Sequence, residues 1–185
     1  MQRYIAIIIL FIATATSSMA DTNGELIQRI DSIIDNITQI YGKKQARIDF
    51  YKSMAHKSHK PETLLSAYDK LYDEYFVFQF DSAMVYADKA ITLADRIGDK
   101  FHHDKCRIEK ASLLGVGGLY GEAVALLDEI DSTRLDNELR FDYTIAYYFI
   151  YTYWADYCHD YYYSPRYHER ANTYLKQAVT MLSPT

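Results

Sequence analysis

Between residues 25 and 41, apolar residues recur in steps of four and three, at Leu26, Ile30, Ile33, Ile37 and Ile40. So narrow a stripe predicts an amphipathic helix that needs a partner along its length, either the hairpin that follows or a second copy of the chain. Gly42 predicts a stop or bend, after which "KKQARIDFYKSMAHK" continues as a more polar helix. Pro61 ends that helix and starts the next, in "HKPETLLSAYDKLYDEYFVF".

Two later stretches share one pattern. Phe80 stands three residues before Ala83 in "FDSAMVYADKAITLADRIGD", and Tyr120 stands three before Ala123 in "YGEAVALLDEID". A larger side chain follows each alanine at plus three (Tyr86, Leu126), and an apolar one at plus seven (Ala90, Ile130). A third copy, "HERANTYLKQAVTML", aligns on Ala171, with Tyr174 and Ala178 at the same offsets. The three alanines lie 40 and 48 residues apart, and a recurring period of this length predicts stacked helical hairpins. Small residues are needed there because a larger side chain at a close crossing pushes the helix axes beyond about 8–10 Å. Phe80, Ala83, Ala90, Tyr120, Ala123, Ala171 and Ala178 are therefore the expected repeat-packing positions.

The run from Phe80 through "RIGD" resembles the second helix of a tetratricopeptide repeat, and "GLYGEAVALLDEI" resembles the Gly-x-Tyr-x-Glu-Ala segment of that family more closely. The chain departs from the family consensus in lacking an opening tryptophan and a closing proline, and its period exceeds the usual ~34 residues. The order of "LIQRIDSIIDNI", "KKQARIDFYK", the repeats and "YYYSPRYHERANTYL" is similar to the exported N-terminal repeat region of Bacteroidetes regulator-like proteins that end in a domain of unknown function. The resemblance implies an all-α fold, a tetratricopeptide-like right-handed superhelix of antiparallel helix hairpins. The expected organisation is a signal peptide over residues 1–20, an amphipathic helical segment over 21–60, and repeats over 61–185 in three hairpins, 62–99, 100–131 and 135–182.

The opening "MQRYIAIIILFIATATSSMA" has the grammar of a secretory signal: Arg3, an apolar run, and a small-residue cleavage pattern after Ala20. Cleavage there predicts an exported chain, in the periplasm or at the cell surface. Membrane attachment is expected only if the signal stays uncleaved or the natural chain continues past Thr185. The formal net charge of −5 argues against nucleic-acid backbone binding.

Gly115, Gly117, Gly118 and Gly121 raise the question of a phosphate loop. Such a loop needs a strand before it and a helix N-terminus after it. Cys106, Ile108, Ala111 and Leu114 instead follow helical spacing, and no Lys-Ser/Thr pair follows Gly121. The glycines read as the bend of a hairpin.

Tyrosine accounts for 19 residues of the chain, concentrated in "DYTIAYYFIYTYWADYCHDYYYSPRY". On a helix over residues 135–158, Tyr143, Tyr147, Tyr151 and Trp154 share a face. First helices line the concave groove of a solenoid, which makes these four the candidate ligand groove, with ordinary core and rim tyrosine as the alternative. The histidines have no partners at ligand spacing, and Asp73/Glu74 and Asp128/Glu129 read as solvated faces, so no metal site and no catalytic arrangement is expected. Cys106 and Cys158 fall near opposite ends of successive first helices, which predicts two unpaired thiols. Together these features predict a non-catalytic exported module, without cofactor, that binds a protein or peptide partner; the resemblance to the Bacteroidetes regulator-like proteins implies that it serves as the sensor region of a membrane-anchored regulator. The alternative is a carbohydrate-binding surface protein that uses the tyrosine-rich groove.

Overall fold

The computed structural model describes residues 24–182 in full, and for residues 2–23 the helical assignment alone. The side chains of the signal-like segment and its cleavage position lie outside the described residues. Among the described residues, seven α-helices follow one another: α1 (Gln2–Lys57), α2 (Pro61–Phe76), α3 (Phe80–Ile97), α4 (Lys100–Val116), α5 (Tyr120–Asp128), α6 (Asn137–Cys158) and α7 (Ser164–Leu182), with a short 3-10 turn at Ser132–Arg134. The described residues contain no strand. The chain divides into two units, residues 1–47 and 48–185.

In the first unit the helix continues through Gly42, so the expected bend does not form. A side chain at Gly42 would meet nothing within 4 Å, and one interior glycine costs a helix only about 1 kcal/mol. The stripe Leu26, Ile30, Ile33, Ile37 and Ile40 is exposed among the described residues, at 45% to 63%.

The second unit is a two-layer array of hairpins. The first helices α2, α4 and α6 adjoin in that order, and each second helix packs on its own first helix and on the next one: α3 on α2 and α4, α5 on α4 and α6, α7 on α6. Capping explains the boundaries. Pro61 opens α2 with its fixed φ, at a position whose N–H has no helical partner. The Asp99 carboxylate accepts from the His102 N–H (3.1 Å) at the start of α4, and Asp136 accepts from the Leu139 N–H (2.9 Å) at the start of α6.

Ala83, Ala123, Ala171, Ala90 and Ala178 are all buried, at 2% exposure or less. Phe80 and Tyr120, the opening residues of α3 and α5, are half-buried. Each reaches the C-terminal end of the next first helix: Phe80 lies over Gly117 at the end of α4, and Tyr120 stacks on Trp154 near the end of α6, at 5.7 Å. The equivalent position in α7 is His168, which faces Asp156 at 3.7 Å instead. At nine residues, α5 is shorter than the ~12–15 that an isolated helix needs to be marginal in water. Burial of Ala123 and Leu127 holds it, since a fully buried leucine contributes about 1.5–3 kcal/mol.

The four glycines have different jobs. A Cβ at Gly115 would stand 2.7 Å from Cγ1 of Ile150, and one at Gly117 would stand 2.6 Å from the Phe80 ring. Gly118 has φ +80°, and Leu119 N–H then reaches the Leu114 carbonyl at 2.9 Å, closing the helix end. Gly98 does the same for α3, with φ +73° and Asp99 N–H bonded to the Ala94 carbonyl at 2.9 Å. Gly121 does neither; a side chain there would meet open space.

Substitutions by alanine separate these roles. Gly118→Ala should cost about 1–2 kcal/mol through the left-handed backbone, and Gly117→Ala about 1–3 kcal/mol through the displaced Phe80 ring. Gly121→Ala, inside a helix, should be neutral or gain up to about 1 kcal/mol. Urea denaturation checks the order; a Gly121→Ala loss as large as the other two contradicts this division.

Candidate functional site

Tyr143, Tyr147, Tyr151 and Trp154 do share a face of α6, and that face looks between the second helices α5 and α7. The Tyr147 ring lies parallel to Tyr174 of α7 at 4.5 Å, and its hydroxyl donates to Asp128 of α5 at 2.5 Å. Tyr151 stacks on Tyr174 at 6.0 Å and on Tyr167 at 6.1 Å. Trp154 stacks on Tyr167 at 4.3 Å and on Tyr120 of α5 at 5.7 Å. Tyr147 and Tyr151 are only 2% and 3% exposed, whereas Tyr143 and Trp154 are half-buried. As an open groove on the first helices the set does not hold together. Bulky rings facing two second helices wedge between them, because burial of each ring contributes more than an open face would.

Each buried phenol has found a partner, as desolvation requires. Asp128, which reads in sequence as half of a solvated acidic pair, is the acceptor for Tyr147. Burial pushes the Tyr147 phenol well above its ordinary range, and the bond to Asp128 adds to the shift. Burial likewise pushes Tyr174 up to about 12. These tyrosines are therefore neutral donors at physiological pH.

At the rim the aromatic wedge stays open. Gly121 and Val124 of α5, Tyr151 and Trp154 of α6, Tyr163 of the α6–α7 bend, and Arg166, Tyr167 and Arg170 of α7 line a cavity of about 300 Å³. The Arg166 guanidinium lies 3.9 Å over the Tyr162 ring. Arg170 donates to the Tyr151 hydroxyl at 2.9 Å. Tyr157, Tyr161, Tyr162 and Tyr163 cluster at the α6–α7 bend, all more than half exposed. Sequence reasoning missed Tyr163, Tyr167 and both arginines. The available signal was the i, i+4 spacing of Tyr163 and Tyr167, and of Arg166 and Arg170, at the start of α7 and just before it.

Polar side chains gather a second time between α2 and α4. Asp69, Cys106 and Glu109 bring three potential ligand atoms within 4.8 Å of one another. Lys105 already fills the centre, with its ammonium 2.6 Å from Asp69 and 2.8 Å from Glu109. Burial works against the charge on Lys105, yet the two carboxylate bonds raise its pKa. Burial raises the Cys106 thiol far above its ordinary range. With Lys105 among them, the carboxylates read as a half-buried ion-pair cluster. Two carboxylates share one ammonium here, and burial pushes Glu109 up to about 6 against the pull of Lys105. Both cysteines are free; Cys106 is buried and Cys158 half-buried.

Residues 34–185 match the family model described as the SusR N-terminal TPR domain. The chain belongs to this family. The match spans α2 to α7 and the later part of α1, and it fits the hairpin array: an all-α tetratricopeptide-repeat protein resembling SusR-like regulators of Bacteroidetes. Tetratricopeptide repeats present extended surfaces for partners. No curated protein matches the chain. Among the described residues, no helix of this SusR-type domain is long and apolar enough to cross a membrane.

Glu109 makes a pH dependence that can be isolated. Its folded pKa lies above its unfolded value, so its stabilising contribution is full below about pH 4.5 and is lost as pH rises through about 6. The stability of the native chain relative to Glu109→Gln should therefore fall by about 1–2 kcal/mol between those pH values. Urea denaturation at both pH values measures it, and a pH-independent difference refutes the assignment.

Proposed function

We propose that this chain is a non-catalytic, exported helical-repeat module that binds a protein or peptide partner, and that it forms the sensor region of a membrane-anchored regulator. The observation that carries the reading is the exposed aromatic cluster at the α6–α7 bend beside the open cavity. Tyr157, Tyr161, Tyr162 and Tyr163 are 76%, 104%, 59% and 51% exposed. Exposed aromatic residues concentrated at one bend offer an interaction surface, since tyrosine brings apolar area and a hydroxyl together. No nucleic acid, metal or cofactor is part of the reading.

The carbohydrate alternative has one supporting observation, the concentration of aromatic rings around the cavity. Within the cavity it would need a free aromatic face for a sugar ring to lie on. Trp154 is already engaged by Tyr167 and Tyr120, and Tyr151 by Tyr167 and Tyr174. A partner whose side chains enter the cavity edge-on makes fuller use of the site.

Export rests on the signal-like opening of the sequence. The protein isolated from producing cells should begin at Asp21; an intact Met1 terminus on all of the protein refutes cleavage. For partner binding, a photo-crosslinking residue at position 161 should give a discrete adduct with a second polypeptide in those cells, and the same residue at exposed Lys100 should not. Equal labelling from both positions, or none from 161, removes the bend as the partner face.

A further inference from the structure

Arg166 and Arg170 stand one turn apart on α7, both exposed at the rim of the cavity. Several other basic side chains of this acidic protein find acids: Lys105 reaches Asp69 and Glu109, Lys110 reaches Asp88, Arg134 reaches Asp104, and Arg107 reaches Glu129. Among the described residues, neither Arg166 nor Arg170 pairs with a carboxylate. Aromatic groups hold them instead, Arg166 over the Tyr162 ring at 3.9 Å and Arg170 on the Tyr151 hydroxyl at 2.9 Å. Contacts of that kind fix a guanidinium without neutralising it. The planar fork stays free to take an anion in bidentate fashion.

The cavity beneath is lined by Val124, Trp154, Tyr163 and Tyr167, and Gly121 leaves its α5 wall without a side chain. At about 300 Å³ it sits at the small end of ligand pockets, the size for a residue or two and not a long chain. An apolar body beneath a cationic rim selects a ligand with an apolar part and an anionic end. The anion matched is a carboxylate more than a phosphate, because the Tyr162 and Tyr163 N–H groups at this bend are already used by Asp160, at 2.7 and 2.6 Å, which also puts an acid at the bend.

We infer that the α5–α6–α7 cavity captures a peptide carboxylate beside an apolar residue, with Arg166 and Arg170 as the clamp. This rests on the reading of the α6–α7 bend as the partner face, and names the chemistry recognised there. The carboxylate can be a chain terminus or an acidic side chain. Trp154, the one tryptophan of the chain, lines the cavity and reports its occupancy.

The test titrates the full chain with four probes: acetyl-leucyl-phenylalanine as the free acid, the same dipeptide as its amide, acetyl-glutamyl-phenylalaninamide, and inorganic phosphate. The free acid, the glutamyl peptide or both should shift Trp154 emission saturably, at least tenfold more tightly than the neutral amide. A response to the free acid alone assigns a chain terminus; a response to the glutamyl peptide assigns a side chain. The Arg166→Gln/Arg170→Gln variant should lose the tenfold preference with unchanged helical circular dichroism, since both residues are exposed. Equal binding of amide and acids, inorganic phosphate binding as tightly as the acids, or no saturable response to any probe each overturns the carboxylate clamp. The crosslink from position 161 reads partner binding independently, so the clamp can fail while the partner face stands.

Discussion

Helices that cross closely can carry nothing larger than alanine at the crossing, and the second unit is built around that limit. Ala83, Ala123 and Ala171 sit buried at equivalent points of α3, α5 and α7. With the backbones drawn in, Gly115 and Gly117 have no room for a Cβ against Ile150 and Phe80. The aromatic residue that opens a second helix then lands on the end of the following first helix, as Phe80 and Tyr120 both do. Each hairpin is thereby tied to the next through one small residue and one ring. The short α5 persists because its neighbours bury it, not because nine residues favour a helix on their own.

The third hairpin departs from this scheme, and that departure makes the candidate site. His168 replaces the opening aromatic, while α6 and α7 carry an excess of tyrosine. The rings fill the space between α5 and α7 as a stacked wedge whose inner hydroxyls are satisfied, Tyr147 by Asp128 and Tyr151 by Arg170. Inner rings become structure, and outer ones remain accessible. Trp154 lies at the boundary, supporting the fold on one side and lining the cavity on the other. Between α2 and α4 polar chemistry serves a different end: Lys105, Asp69 and Glu109 neutralise most of each other's charge in a half-buried cluster. Three ligand-type atoms in proximity do not make a metal site when an ammonium already stands among them.

The spacing of Ala83, Ala123 and Ala171 carried the fold class, the hairpin order and the second helices, because close packing leaves its mark as residue size at a fixed period. Helix boundaries at Pro61 and at the Gly115–Gly118 bend were legible for a local reason, since proline fixes the backbone and glycine frees it. Gly42 was misread, because a glycine weakens a helix by less than the surrounding residues support it. The shared face of Tyr143, Tyr147, Tyr151 and Trp154 also followed from sequence alone. Only the tertiary structure decided which neighbours that face meets, and so which tyrosines are core and which are rim. It alone brought Arg166 and Arg170 to the cavity, put Asp128 under Tyr147 and set Lys105 among its acids. Periodicity records what a residue does within its own helix; contacts between helices depend on how far each is rotated and displaced against the next, and no spacing along the chain encodes that.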